Sequence, residues 1–252
     1  MQKLGGVILL NKAIQLIKNS KSITVLTGAG MSVPSGLKDF RSNNGMWNDK
    51  DPMRYSHVKT LRLHPETVIN FYIDTVKEIL KHKPNEGHHI LSKWQEKGII
   101  KNIITQNIDM YHTESGSKNV IELHGNRNFR TWLGNEVISA EEFIEMDRIH
   151  EFWITDYEGH EDIYRPNVVL FGEQLDNYVL FKAQNACLKS DLCIVLGSSL
   201  SVYPANQLPE FTLGNGGKLI IVDKGSTELD DKADVKLNMD IVEFLKKVDK
   251  EL

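Results

Sequence analysis

The chain has 252 residues, 40% of them apolar, and a formal net charge of -4 from 30 basic and 34 acidic side chains. That length suits one large folding unit with a substantial core, and the mildly acidic balance lacks the basic footprint of a nucleic-acid binder. With two cysteines, Cys187 and Cys193, and no apolar run long enough for a signal or a span, the expectation is a soluble, cytoplasmic monomer without membrane or nucleic-acid partners.

In chain order, Val7, Leu10, Ile14 and Ile17 carry the spacing of an amphipathic helix that packs on a sheet. The β-type run 23–26 then ends in a turn with Gly28 and Gly30, whose missing Cβ atoms let the main chain approach a pyrophosphate. If a helix follows, its first N–H groups point at the anion. Gly28, Ala29, Gly30 and Ser32 are therefore candidates for a phosphate cradle. Val33 stands where the dinucleotide fingerprint has its third glycine, and no acidic residue closes a second strand about 20 residues on. A plain dehydrogenase is disfavoured, and a tight βα turn without a ligand stays open.

Residues 42–83 are polar at first and then helical over 65–80, with Val68, Phe71, Tyr72, Thr75, Val76 and Ile79 on one face. Apolar strands are expected over 99–104, 120–123, 168–171, 192–196 and 219–222, alternating with helical stretches. Near-continuous apolar strands argue for a parallel sheet covered on both faces. The expected fold is α/β, a doubly wound Rossmann-like parallel sheet with a smaller inserted lobe. The larger lobe takes 1–41, 84–125 and 166–252, and the smaller one 42–83 and 126–165.

Polar residues gather at the ends of these strands, where α/β sheets place ligands. Gln106, Asn107 and Asp109 follow 99–104, and an amide pair with a carboxylate on one short turn can hydrogen-bond both a ribose and a carboxamide. A helix N-cap accounts for only one of the three. His124 ends 120–123; its near-neutral titration suits a general base, and a satisfied structural histidine is the alternative.

Six ordered segments carry a more specific signal: 27–41 (TGAGMSVPSGLKDFR), 105–112 (TQNIDMYH), 122–125 (ELHG), 165–173 (RPNVVLFGE), 197–205 (GSSLSVYPA) and 219–223 (LIIVD). Together they closely resemble the sirtuin family of NAD-dependent protein lysine deacylases, over about residues 21–245. The resemblance implies NAD as cofactor and an acyl-lysine protein or peptide as substrate. It implies that Asp39, Phe40 and Arg41 belong to the cofactor loop, the ring shielding the reactive sugar face and the arginine contacting the cofactor. Asn107 would position the ribose and water, with Gln106 beside it, and Asp109 would hold the nicotinamide amide. Gly197, Ser198 and Ser199 would make a second phosphate and ribose contact. Asp223 stands at the adenosine ribose, where the family usually has asparagine.

Phe171, Gly172 and Glu173 on one side, and Leu200, Val202 and Tyr203 on the other, resemble the two edges that clamp an extended peptide in sirtuins. Tyr72 would face the acyl group. His124 and Asn107 are the implied catalytic residues: the acyl oxygen attacks the ribose carbon as nicotinamide leaves, and His124 then activates the 2′-hydroxyl. Free lysine, nicotinamide and O-acyl-ADP-ribose would be the products.

The chain departs from the family in one segment above all. Between His124 and Phe171 sirtuins usually carry two Cys-x-x-Cys pairs on zinc, but no cysteine occurs here. His150 and His160 do not make a structural zinc set, so no metal is expected. Seven aromatic residues, Phe129, Trp132, Phe143, Phe152, Trp153, Tyr157 and Tyr164, can replace a metal staple with an apolar core. Ten acidic against four basic residues over 126–165 make an acidic segment that favours basic substrates. Lys38 replaces the usual proline before Asp39, which loosens the empty cofactor loop. Sirtuins that remove acidic acyl groups pair the tyrosine with an arginine three residues on; here Thr75 follows Tyr72, so desuccinylation is not expected. Deacetylation leads, with NAD hydrolysis, ADP-ribosyl transfer or a non-catalytic NAD sensor as alternatives.

Overall fold

The computed structural model describes residues 2–39, 45, 50–131, 136–146 and 164–252. Its elements are α1 (Gln2–Asn19), β1 (Ile23–Thr27), α2 (Pro52–Tyr55), α3 (Val58–Leu63), α4 (Pro65–Lys81), α5 (Glu86–Glu96), β2 (Ile100–Thr105), α6 (Tyr111–Glu114) and β3 (Val120–Glu122). They continue with β4 (Gly125–Thr131), β5 (Val137–Ile138), α7 (Ala140–Glu145), β6 (Tyr164–Val168), α8 (Asn177–Leu188), β7 (Leu192–Leu196), α9 (Leu208–Gly214), β8 (Lys218–Val222), β9 (Val235–Leu237) and α10 (Ile241–Asp249).

A six-stranded sheet runs β3-β2-β1-β7-β8-β9 with every pairing parallel. Counted by succession within that sheet the order is 3-2-1-4-5-6, the doubly wound arrangement, and the winding reverses between β1 and β7. Alternation along each strand sends neighbours to opposite faces. On β7, Leu192, Ile194 and Leu196 join α1, α5 and α10 in one buried cluster. Cys193 and Val195 join α8 and α9 in the other, where Cys187 is also buried; both thiols are free. Covering on both faces is why these strands read as unbroken apolar runs.

Two expectations are corrected here. On α1, Ile14 and Ile17 are buried and Leu10 packs against them, but Val7 is 56% exposed and contributes nothing to the core. The run 168–171 is not a strand of the parallel sheet. Only Val168 is in a strand, as the last residue of β6, which pairs antiparallel with β4 in a separate three-stranded sheet β5-β4-β6. The run is apolar because Val168 and Leu170 enter a third cluster with Leu61, Val68, Phe71 and Val76 of α3 and α4. Its main chain meanwhile leaves the sheet, and Phe171 makes an isolated parallel bridge to His57.

The face expected on α4 is buried as a stripe, with Val68, Phe71, Tyr72, Val76 and Ile79 all inward. Three of the seven aromatic residues complete that cluster: Phe129 stacks on Phe143 with centroids 3.8 Å apart, and Tyr164 meets Phe143 edge-on at 6.0 Å. Trp132, Phe152, Trp153 and Tyr157, with His150 and His160, lie outside the described residues. No helix among the described residues is long and apolar enough to cross a membrane.

Candidate active site

At the winding reversal β1 and β7 lie side by side and both end in tight turns. A Cβ on Gly28 would fall 2.6 Å from the Gly197 carbonyl oxygen, and one on Gly30 2.7 Å from the Gly197 Cα. The two loops are also bonded, Gly30 N–H to the Gly197 carbonyl and Gly28 N–H to the Leu196 carbonyl, each at 3.0 Å. Contact between the loops therefore demands these glycines, independently of any ligand. No α-helix follows within the described part of the loop; 28–36 makes two single 3-10 turns, Ala29–Met31 and Val33–Ser35. A helix dipole thus contributes nothing to anion binding at this point, and main-chain N–H groups are left to do so.

The turn after β2 is tied to that loop. Ser32 Oγ donates to Asp109 Oδ2 at 2.6 Å, and Asn107 Nδ2 donates to the Gly28 carbonyl at 3.0 Å and to Ser32 Oγ at 3.2 Å. These bonds leave Asn107 Oδ1 as the free end of the amide, which fixes its orientation. Asp109 is 5% exposed and its second oxygen accepts from the Tyr111 N–H at 2.9 Å. Burial raises its carboxyl, against the lowering pull of Ser32, the Tyr111 N–H and Arg127. Gln106 reaches the other loop, donating from Nε2 to Ser198 Oγ at 2.8 Å.

His124 sits between β3 and β4. Its Nδ1 lies 3.1 Å from the Gln106 carbonyl oxygen. A carbonyl only accepts, so Nδ1 carries the proton and Nε2 keeps its lone pair. Burial lowers the His124 pKa, a shift the Gln106 carbonyl partly offsets, and the ring is neutral near pH 7. Gly125 follows with φ 76°, where a Cβ would also collide with the Asn167 carbonyl, so the turn that presents the histidine requires glycine.

One cavity of about 1430 Å³ joins all these groups. Gly28, Ser32, Asn107, Asp109, His124 and Ser198 line it, as do Ala29, Gly30, Asp39, Gln106, Gly197, Ser199 and Asp223. Asp223 turns one oxygen back to the Gly225 N–H at 2.7 Å, and Ser199 Oγ pairs with Ser201 Oγ at 2.9 Å. Phe171, Gly172 and Glu173 form one rim and Val202 and Tyr203 the other, Tyr203 being 73% exposed. Leu200 departs from expectation: its side chain is 1% exposed, packed in the core beneath α8 and α9 and off the cavity wall. Phe40 and Arg41 lie outside the described residues.

The first rim is braced from below. Arg165 Nη1 and Nη2 meet Glu173 Oε1 and Oε2 at 2.6 and 2.8 Å, and Glu173 Oε2 also accepts from the Leu170 N–H at 2.9 Å. Burial opposes ionisation of Glu173, but Arg165 and the Leu170 N–H outweigh it and hold the carboxyl below the usual glutamate range. Val169 N–H donates to the His124 carbonyl at 3.0 Å, so the rim and the histidine share one frame. Tyr72, Phe71, Thr75 and Ile79 of α4 line the cavity as well, with Ser56 against Tyr72.

Sequence reasoning missed several of these positions. Arg127 is 9% exposed and donates from Nη1 to the Asp109 carbonyl at 2.8 Å while pairing with Glu114. Behind β1, Thr27 Oγ1 lies 2.9 Å from Thr105 Oγ1 and 3.0 Å from His112 Nε2, and His112 packs against His88 with centroids 4.8 Å apart. Burial lowers both histidines, His88 to about 4 and His112 well below the ordinary imidazole range, so both are neutral spacers beneath the site. An arginine two residues past the His124–Gly125 turn was the available signal for the first; nothing in spacing marks the second group. Among the described residues no cluster of His, Cys, Asp and Glu is arranged to hold a metal ion.

An open parallel sheet with a polar cleft at its winding reversal defines a nucleotide-binding α/β protein. A model of the Sir2 family matches residues 28–204, and the chain belongs to that family. It is similar to an NAD-dependent protein deacetylase of Oceanobacillus iheyensis, 39% identical with 93% of this chain and 98% of the relative covered. It is likewise similar to one of Thermotoga maritima, 40% identical over 95% of this chain and 96% of the relative. Among solved structures it superposes on a Sir2 complex with a p53 peptide and NAD+ with a TM-score of 0.84 at 39% identity, covering 96% of this chain and 98% of the other. Sir2Tm bound to a propionylated peptide gives a TM-score of 0.83 at 38% identity, covering 96% and 98%.

Proposed function

We propose that this chain is an NAD-dependent protein lysine deacylase whose principal substrate is acetyl-lysine in a peptide or protein. One observation carries the reading: a neutral histidine with a free Nε2 lines the same cavity as the glycine loops, the Asn107–Asp109 turn and the rim at Phe171–Glu173. The residues fit NAD. The two glycine loops leave room only for main chain, Ser198 and Ser199 supply hydroxyls, and Asn107 and Asp109 line the cavity beside them.

When bound, NAD supplies an electrophilic ribose carbon that takes the acyl oxygen as nicotinamide departs. Asp109, held by Ser32 and the Tyr111 N–H, accepts from a carboxamide N–H2 and fixes its plane. Asn107, clamped through Nδ2, offers Oδ1 to a ribose hydroxyl. His124 Nε2 takes the proton of the 2′-hydroxyl, and its Nδ1–H on the Gln106 carbonyl stabilises the resulting cation. Glu173 and Arg165 hold the rim whose main chain pairs with an extended peptide. The three-stranded sheet with α2, α3 and α4 serves as the smaller lobe in this reading, supported by its aromatic cluster and by the lack of cysteine over 126–165.

Incubation with NAD and an acetyl-lysine peptide, with products identified by mass spectrometry, tests the reading. Peptide-dependent release of nicotinamide together with O-acetyl-ADP-ribose is expected. Nicotinamide release that ignores the peptide would instead mark an NAD hydrolase, and no release a sensor.

A further inference from the structure

The cavity wall behind the peptide rim holds a pair of hydroxyls that the chemistry above does not use. Ser56 Oγ and Tyr72 Oη lie 2.7 Å apart, and the residues are 5% and 7% exposed. Ser56 stands between α2 and α3, and its carbonyl accepts the Phe171 N–H at 2.8 Å, which puts the pair directly behind the peptide rim. The bond from Val169 N–H to the His124 carbonyl ties that same loop to the base. Phe71, Val168 and Leu170 share this stretch of wall, so the surroundings are otherwise apolar.

Two hydroxyls carry two protons, and the bond between them uses one. The second has no acceptor among the described residues. Burial pushes the Tyr72 hydroxyl up to about 12, so both protons stay in place at working pH. An acyl chain entering the channel expels water. A hydrocarbon chain then leaves the second proton facing carbon, whereas an oxygen on the chain accepts it.

We propose that Ser56 and Tyr72 form a hydrogen-bond-donor subsite in the acyl channel, which selects neutral short acyl-lysines bearing a hydroxy or oxo oxygen beyond the carbonyl over hydrocarbon chains of equal size. The inference rests on the deacylase reading. A carboxylate is a poor occupant: Arg165, the guanidinium whose field reaches Tyr72, is paired with Glu173, and Glu78 lines the same cavity.

The test uses peptides of one sequence carrying acetyl-, 3-methylbutyryl- or 3-hydroxybutyryl-lysine, with affinity and kcat/KM measured for each. Methyl and hydroxyl are close in size, and burial alone favours the methyl. The hydroxy form is expected to bind and react about tenfold better than the methyl form in the wild type. Ser56→Ala and Tyr72→Phe each leave one donor and keep that order, and the double variant inverts it. Acetyl turnover with equal or inverted preference in the wild type overturns the subsite and leaves the deacylase reading standing. A double variant that retains the hydroxy preference overturns it too, and absence of NAD-dependent turnover on every peptide overturns both.

Discussion

Removing Glu173 tests whether the cavity rim proposed to hold the peptide is itself held by a buried charge pair. In Glu173→Ala the Arg165 guanidinium, 3% exposed, keeps its bond to the Val168 carbonyl at 3.2 Å but loses both carboxylate contacts. Removing one partner of a buried charge pair costs about 3–5 kcal/mol, and the lower end applies because Arg165 keeps its main-chain partners and the Glu173 side chain is 19% exposed, so solvent reaches the vacated side. At roughly 2–4 °C per kcal/mol for a chain of this size, about 3 kcal/mol lowers Tm by about 6–12 °C. Because Glu173 also holds the Leu170 N–H, the loop that follows relaxes, and KM for the peptide should rise severalfold more than KM for NAD. The paired change Arg165→Met with Glu173→Leu removes both charges and should recover most of the lost stability, separating the broken charge pair from lost packing.

The pH dependence has a definite sign. The folded protein holds the Glu173 carboxyl below its ordinary range, so its contribution is fully present above that range and is lost as pH falls through the depressed value. The Tm gap between wild type and Glu173→Ala should therefore narrow on acidification. Calorimetry and urea titration measure the first effect and steady-state kinetics the second. A Tm loss under about 2 °C, or equal rises in both KM values, would refute the reasoning.

His124→Ala should leave NAD affinity intact and nearly abolish acyl transfer; because burial lowers the His124 pKa, the acid limb of kcat/KM should fall below pH of about 6.5, and a limb above 7 contradicts the assignment. Asn107→Ala and Asp109→Ala should each impair nicotinamide release, and unchanged release in both removes them from the site. Acetyl should be preferred over succinyl by roughly two orders of magnitude, since a desolvated carboxylate would meet Tyr72 and Thr75 with Glu78 nearby; Thr75→Arg should narrow the gap, and comparable wild-type rates on both peptides would show the channel wrongly assigned. Purified protein should carry no stoichiometric zinc and keep its Tm under chelation, and a fall in Tm with chelator contradicts a metal-free small lobe.

Which residues meet was legible wherever it is local. The runs 192–196 and 219–222 announce strands covered on both faces, because burial on each side leaves no polar position in the period of two. The stripe on α4 reads at a period of 3.6 for the same reason, and the order of short polar motifs points to Gln106, Asn107, Asp109 and His124, which line one cavity. Periodicity reports how deeply a residue is buried, but not what it is buried against.

Tertiary structure decided the rest. The run 168–171 reads as a central strand, yet its apolar residues serve the cluster beneath α4 while its main chain turns to the rim. Gly28 and Gly30 read as a phosphate cradle, and what forbids a side chain there is Gly197, more than 160 residues away. The tautomer of His124 depends on a carbonyl at Gln106, the rim on Arg165 meeting Glu173, and the hydroxyl pair on the cavity wall on Ser56 meeting Tyr72. Each of these is a polar pair joined by folding across a stretch of chain, where no local spacing rule applies. A buried donor must find an acceptor somewhere, and the sequence states that requirement; only the packed structure supplies the partner.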